Sequence, residues 1–190
     1  MNHEGPLLRL RSIAVSDTDR VHEWSALPEA CRYQPWGPNT HADTQEFVAE
    51  AVGAWLVNPQ LRWVWAVVDP SDVVVGIGEV KLRGHRRAEI SYAVHVELWG
   101  QGIGSTIGQL LSGWAFEHLT ELERLEATCD PRNVASESVL RHVGMTHEGT
   151  LRHVLRIRDG WRDSKVFSIL RSEWVAGQRE AVRLALDTLT

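Results

Sequence analysis

The segment AEISYAVHVELWGQGIGSTIGQLLSGWAF, Ala88 to Phe116, sets Gly100, Gly102 and Gly104 between a run that alternates like a strand and one that repeats like a helix. The spacing predicts a strand over Ala88 to Val96. After the glycines, Ile103, Ile107, Leu110, Leu111 and Trp114 recur at helical spacing and predict a helix buried on one side. Glycines at such a turn can serve the backbone alone, because they reach φ > 0 without steric cost. Spacing separates the ligand readings. A dinucleotide fingerprint requires a third glycine where Ile107 or Ser105 stands, and a Walker loop requires a lysine, whereas Lys81 and Lys165 lie far from the turn. What remains is a helix N-terminus whose backbone N–H groups and dipole suit an anion such as a diphosphate, without a basic side chain.

Working outward, Leu7–Ile13 reads as a first strand and Val15–Leu27 as a helix opened by Ser16 or Asp17. A Pro- and Gly-containing loop from Cys31 ends at Thr40, a cap for a helix whose Phe47, Val48, Ala51, Trp55 and Leu56 share one face. Arg62–Val68 and Val73–Leu82 read as strands joined by the turn Asp69–Asp72, and Arg83–Arg87 leads into the strand at Ala88. Beyond the glycine helix come a strand over Leu122–Cys129 and a short helix capped by Asn133 and stopped by Gly144. A hairpin of Thr146–Ile157 and Trp161–Leu170 then turns at Asp159-Gly160. The expected fold is α+β, a mixed, largely antiparallel central sheet of about seven strands flanked by helices. Ala181, Val182, Ala185, Leu186 and Leu189 predict a final amphipathic helix, so residues 1–174 are expected to form the domain and 175–190 a C-terminal helical extension suited to homodimer formation or to packing on its own sheet.

With 190 residues, 43% of them hydrophobic and 24% charged, the chain can build one soluble domain without disulfides. No apolar run approaches the roughly 18 residues of a membrane span, and the first residues lack a basic start followed by an apolar stretch, so neither membrane nor export is expected. Cys31 and Cys129 fit no metal-ligand spacing and read as free thiols in a reducing cytoplasm, with no metal. A net charge of −5 argues against nucleic acid as partner.

The segment WGQGIGS, Trp99 to Ser105, resembles the coenzyme signature of the GNAT superfamily of acetyl-CoA-dependent N-acetyltransferases: Arg or Gln, two residues, Gly, one residue, Gly or Ala. Trp99 replaces its first residue, and Gly102, Ile103 and Gly104 match the rest. The resemblance extends through Asp130 to Met145, similar to the family's second coenzyme segment, and through Asp159 to Leu170, similar to the last hairpin of the ribosomal-protein N-terminal acetyltransferase branch, in which a tryptophan at this place is ordinary.

The resemblance implies acetyl-CoA as acyl donor. Gly100, Gln101, Gly102, Ile103, Gly104 and Ser105 would cradle the diphosphate, and the backbone of Val94, His95 and Val96 would pair with the pantetheine arm. Asn133 would bond that arm, the Val96 N–H would face the developing oxyanion, and Ser136 would return a proton to the thiolate. Glu89 is the candidate base, with Glu79 in reserve. Asn133 and Ser136 would equally serve as a plain helix cap, and glutamates on strands are commonly just paired or solvated. The acceptor pocket is expected from residues 34–40, the first two helices and the last hairpin, with Trp36, Trp63, Trp65 and Trp161 as apolar walls and Asp159 or Asp163 attracting a cation; most of the 9 tryptophans are expected in the core. Arg83–Arg87 could meet the ribose phosphate or simply be solvated. The acceptor is a primary amine, of a protein N-terminus or of a small molecule such as a polyamine or an aminoglycoside antibiotic. A catalytically silent acyl-CoA sensor is the alternative.

Overall fold

A computed structural model of the protein describes residues 6–174. Seven strands form one sheet: β1 Arg9–Ser12, β2 Arg62–Val68, β3 Val74–Leu82, β4 Arg87–Val94, β5 Arg124–Cys129, β6 Thr146–Ile157 and β7 Gly160–Leu170, in the spatial order β1-β2-β3-β4-β5-β7-β6. Five helices flank it: α1 Thr18–Ser25, α2 Pro28–Cys31, α3 His41–Ala54, α4 Ile103–His118 and α5 Val134–His142. Neighbouring strands run antiparallel except β4 and β5, whose parallel pairing extends only from Arg87 to Glu89 against Arg124 to Glu126. Beyond Glu89 the two strands part. The α+β class and the mixed, largely antiparallel sheet agree with the expectation.

The sheet buries both faces. On one, Trp63, Trp65, Val80, Ile90, Leu125 and Phe167 pack under Ile107, Leu111 and Trp114 of α4 and Leu140 of α5. On the other, Val64, Ala66, Val68 and Ile77 meet Val21 and Trp24 of α1 and Val48 and Ala51 of α3. Trp63 and Trp65 therefore belong to the core, with Trp65 4.6 Å from Trp114 between ring centroids, and form no wall of an acceptor pocket. Cys31 and Cys129 are both buried free thiols.

Several boundaries differ from expectation, each for a local reason. β4 ends at Val94 and not at Val96, because the His95 N–H makes the last rung, to the Val75 carbonyl at 2.9 Å, and Val96–Leu98 then closes a 3-10 turn. Asp17 stands before α1 without capping it; its carboxylate instead takes the Ala14 N–H at 2.8 Å and both terminal nitrogens of Arg11. α2, opened by Pro28, fills the stretch between the expected first helix and the expected loop and takes in that loop's first residue, Cys31. Leu56 lies past the end of α3 and is 85% exposed. The hairpin turns at Arg158 and Asp159, since Ile157 pairs with Gly160, which opens β7 at φ 125. Thr40 and Asn133 cap α3 and α5 as expected, each accepting an N–H three residues on. The C-terminal helix expected beyond residue 174 lies outside the described residues.

Candidate active site

The turn from β4 into α4 divides its glycines between two tasks. Gly100 (φ 77) and Gly102 (φ 79) adopt left-handed backbone, while an added Cβ would meet nothing at Gly100 and only Pro6 Cδ at 3.8 Å at Gly102. Their requirement is conformational. Gly104 is different: its Cβ would lie 3.2 Å from Val139 Cγ2 and 3.7 Å from Tyr92 Cε2, so this glycine faces α5 and β4, away from the mouth of the loop.

Gly102 stands at the N-cap of α4 without a side-chain cap, and the first turn carries no acidic residue. The first intrahelical bond runs from the Thr106 N–H to the Gly102 carbonyl, leaving the N–H groups of Ile103, Gly104 and Ser105 ahead of it. A 16-residue helix with an open first turn is suited to an anion. Gln101 reaches back to the Glu97 carbonyl at 3.3 Å, and Ile103 is buried in the core.

The parting of β4 from β5 supplies the second element. The bond from His95 to Val75, with the β3–β4 register, assigns Glu89, Ser91 and Ala93 as the hydrogen-bonded pairs with β3. Ile90, Tyr92 and Val94 consequently turn their backbone groups toward the gap. The Val94 carbonyl is met there by the Trp99 indole N–H at 3.0 Å. The His95 amide is committed to β3, and its ring is buried, with Nδ1 accepting the Glu97 N–H at 3.3 Å and Nε2 3.8 Å from Glu23. Val96 lies in the 3-10 turn, and its carbonyl accepts from the Trp99 N–H.

In the gap is a small cavity of about 70 Å³, lined among others by Tyr92, Cys129, Asn133 and Ser136. The Asn133 side chain accepts the Ser136 N–H at 3.0 Å, so the cap is real whatever else these residues do. The Tyr92 hydroxyl lies 3.3 Å from Ser136 Oγ. Burial pushes this phenol up to about 12, so it carries its proton at neutral pH. Sequence reasoning missed Tyr92 because it attended to Glu89, Ser91 and Ala93; the period-two alternation puts Tyr92 on the opposite face, where α5 arrives. Burial also pushes the Cys129 thiol up to about 11, away from nucleophilic use.

On the α1–α3 side a larger cavity of about 720 Å³ opens at the same place. Trp24, Trp36 and Phe47 form apolar walls, and Glu79 and Glu89 project into it. Neither carboxylate is free: Glu79 accepts from Arg62 at 3.1 Å and Glu89 from Arg83 at 2.6 Å. The wall formed by residues 34–37 and the preceding Tyr33 are held by the last hairpin, where Arg158 donates to the Trp36 carbonyl at 2.8 Å and Arg162 to the Tyr33 carbonyl at 2.8 Å. The other expected acceptor residues lie elsewhere. Trp161 is 61% exposed and stacks on His153, Asp163 accepts the His153 N–H at 2.9 Å, and Asp159 pairs with Arg132 at 2.6 Å. Among the described residues no cluster of three or more His, Cys, Asp or Glu is placed to hold a metal ion, and no helix is long and apolar enough to cross a membrane.

Comparison with known proteins agrees with this geometry. The chain is 26% identical over 168 residues to the uncharacterized N-acetyltransferase YnaD of Bacillus subtilis, covering 88% of this chain and 95% of the relative. A GNAT-family acetyltransferase from Bacillus anthracis superposes with a TM-score of 0.79 at 26% identity, over 90% of this chain and 98% of that one. Spermidine N-acetyltransferase from Vibrio cholerae, solved with CoA and spermine, has the same fold at a TM-score of 0.75 and 20% identity, over 88% of this chain and 97% of its own. The acetyltransferase (GNAT) domain model matches residues 8–146, and with its parted β4–β5 pair and open α4 N-terminus the chain belongs to the GNAT family of acetyltransferases.

Proposed function

We propose that the protein moves the acetyl group of acetyl-CoA to the primary amine of an acceptor held in the larger cavity. The observation carrying this reading is that the two cavities meet at the β4–β5 gap and share Gln34, Ile90, Ser91, Tyr92, Thr128 and Arg162. A donor arm entering from the α4–α5 side and an amine entering from the α1–α3 side would come together there.

Acetyl-CoA supplies an activated acyl carbon. The chain's own residues supply position and proton traffic. The N–H groups from Ile103 to Ser105, presented by the turn at Gly100, Gln101 and Gly102, would hold the diphosphate, and Gly104 lets α5 approach. The backbone of Val94 and Val96 and the side chain of Asn133 would hold the arm, with the Val96 N–H as oxyanion donor. Ser136 Oγ, supported by the protonated Tyr92 hydroxyl at 3.3 Å, would return the proton to the departing sulfur. Glu89, or Glu79, would take a proton from the incoming ammonium while its arginine holds it in place.

The test is release of CoA from acetyl-CoA with a panel of amines, alongside calorimetric titration with CoA. Turnover with at least one amine class, lowered in Ser136→Ala and Tyr92→Phe at unchanged CoA affinity, is the expected result. Tight CoA binding with no turnover on any amine would replace the reading by a silent acyl-CoA sensor.

A further inference from the structure

The polar groups lining the larger cavity are unevenly satisfied. It is lined by three carboxylates, Asp43, Glu79 and Glu89, and three arginines, Arg62, Arg83 and Arg162. Arg62 and Arg83 are matched by Glu79 and Glu89. Asp43 is exposed at the α3 end, where it accepts from Thr40 in the capping box. Arg162 is 7% exposed and forms no ion pair among the described residues. Its bonds go to neutral acceptors, the Tyr33 carbonyl and Ser164 Oγ, each at 2.8 Å. The acid nearest in kind, Asp130, is committed to Arg132 through both carboxylate oxygens. Burial accordingly pushes the Arg162 guanidinium below its usual value, with Asp130 opposing. Arg132 also bonds Asp159, so Asp130 acts on Arg162 across space, but no carboxylate contacts the Arg162 guanidinium itself, and a buried cation without a contacting anion is an arrangement that a ligand anion relieves.

Each terminal nitrogen of Arg162 carries two N–H groups and bonds one protein acceptor, the Tyr33 carbonyl or Ser164 Oγ. A polyamine brings only further donors and positive charge to such a group. A carboxylate brings two acceptor oxygens and a contacting negative charge, in the planar geometry that suits a guanidinium. Arg162 also lines the smaller cavity at the β4–β5 gap, so an anion beside it would lie near the reacting amine and not at the far end of a long molecule.

Resting on acetyl transfer at this site, we infer that the acceptor is a small amino-carboxylate, of the amino-acid class, and that Arg162 is the specificity-determining residue that receives its carboxylate. The amine then faces the gap, and the apolar remainder lies against Trp24, Trp36 and Phe47.

Matched acceptors test this directly: phenylalanine, phenylalaninamide and phenethylamine, and leucine, leucinamide and isoamylamine, with spermidine as the polycation. The free acids should exceed their amides and decarboxylated counterparts in kcat/KM by roughly 10- to 100-fold, the scale of a hydrogen-bonded charge. Arg162→Met should remove the preference and Arg162→Lys retain part of it, both with unchanged affinity for CoA. Equal use of acid and amide, a preference for spermidine, or an undiminished preference in Arg162→Met overturns the inference while leaving acetyl transfer intact. Failure of every amine overturns the acetyl-transfer reading instead. The carboxylate site is then read by calorimetry on the CoA-loaded wild-type protein, with N-acetylphenylalanine and N-acetylleucine against their amides. Binding of an acid in preference to its amide supports the site, and equal or absent binding of the two rejects it. That comparison holds even if Arg162→Met does not fold.

Discussion

Gly108→Ala tests whether helix packing sets the spacing of the reacting groups. Gly108 lies on the face of α4 that meets α5, and a Cβ there would stand 2.6 Å from Val143 Cγ2. Carbon atoms in ordinary contact are about 3.5–4.0 Å apart, so the helices would have to separate by about 1 Å. Val143 is 0% exposed and β-branched in the last turn region of α5, which leaves it little freedom to turn aside. Overpacking of this kind costs about 1–3 kcal/mol, against about 1 kcal/mol gained from replacing a helical glycine, so a net loss of about 1 kcal/mol is expected in denaturant unfolding. Function should suffer more than stability. α5 carries Asn133 and Ser136, and the Tyr92–Ser136 contact at 3.3 Å has no slack for a shift of that size. CoA release should therefore slow while the protein remains folded. Val143→Ala removes the obstructing methyls at its own cost, yet combined with Gly108→Ala it should recover about 1 kcal/mol relative to the sum of the single changes. A Gly108→Ala protein with wild-type stability and turnover, or additive behaviour of the pair, would refute the reasoning.

The remaining perturbations probe separate parts. Gly102→Ala places a side chain at φ 79, about 1–2 kcal/mol of strain, and should weaken CoA binding about 5- to 30-fold by calorimetry; unchanged affinity would locate the diphosphate elsewhere. Ser136→Ala and Tyr92→Phe should each slow turnover roughly ten- to a hundredfold, and the double variant should be little worse than either, since they serve one proton path; multiplicative losses would separate their roles. Glu148 is pulled down to about 2 by the hydrogen bonds of Arg124 and then Ser168. A depressed carboxylate contributes stability above its unfolded value of about 4.3 and loses it as pH falls toward 2. Its side chain is 40% exposed, which limits the contribution to less than about 1 kcal/mol. Glu148→Gln should thus be less stable than wild type at pH 7 and converge with it near pH 2 in urea unfolding; a constant difference across that range would contradict the linkage.

Much of the fold was legible because local chemistry carries it. Thr40 and Asn133 each cap by reaching an N–H three residues on, and the glycines at 100 and 102 mark a backbone that other residues resist. β2 was harder to read: six of its seven residues are buried, so Arg62–Val68 has no solvent face to betray the direction of Trp63 and Trp65. Both tryptophans face α4, a choice made by a helix some 40 residues later in the chain. The end of β4 was missed for a related reason. The strand-like alternation continues through Val96, but the next carbonyl that would face β4, that of Val73, lies before β3 and takes the Asp69 N–H.

The site was less legible than the fold because its chemistry depends on what is paired. A search for a base finds Glu79 and Glu89, since acids on a strand before a ligand turn are visible in one dimension. Their arginines, Arg62 and Arg83, are equally visible as residues and invisible as partners. Arg162 is the converse case: in the hairpin sequence it resembles any solvated arginine, and it becomes informative only when β7 buries it beneath Tyr33 with Asp130 already committed to Arg132. Charge composition alone would call this cavity neutral. Pairing resolves it into two internally balanced ion pairs, an exposed capping aspartate and one buried arginine that no carboxylate contacts, and it is that arginine, not the total, that would select among amine acceptors.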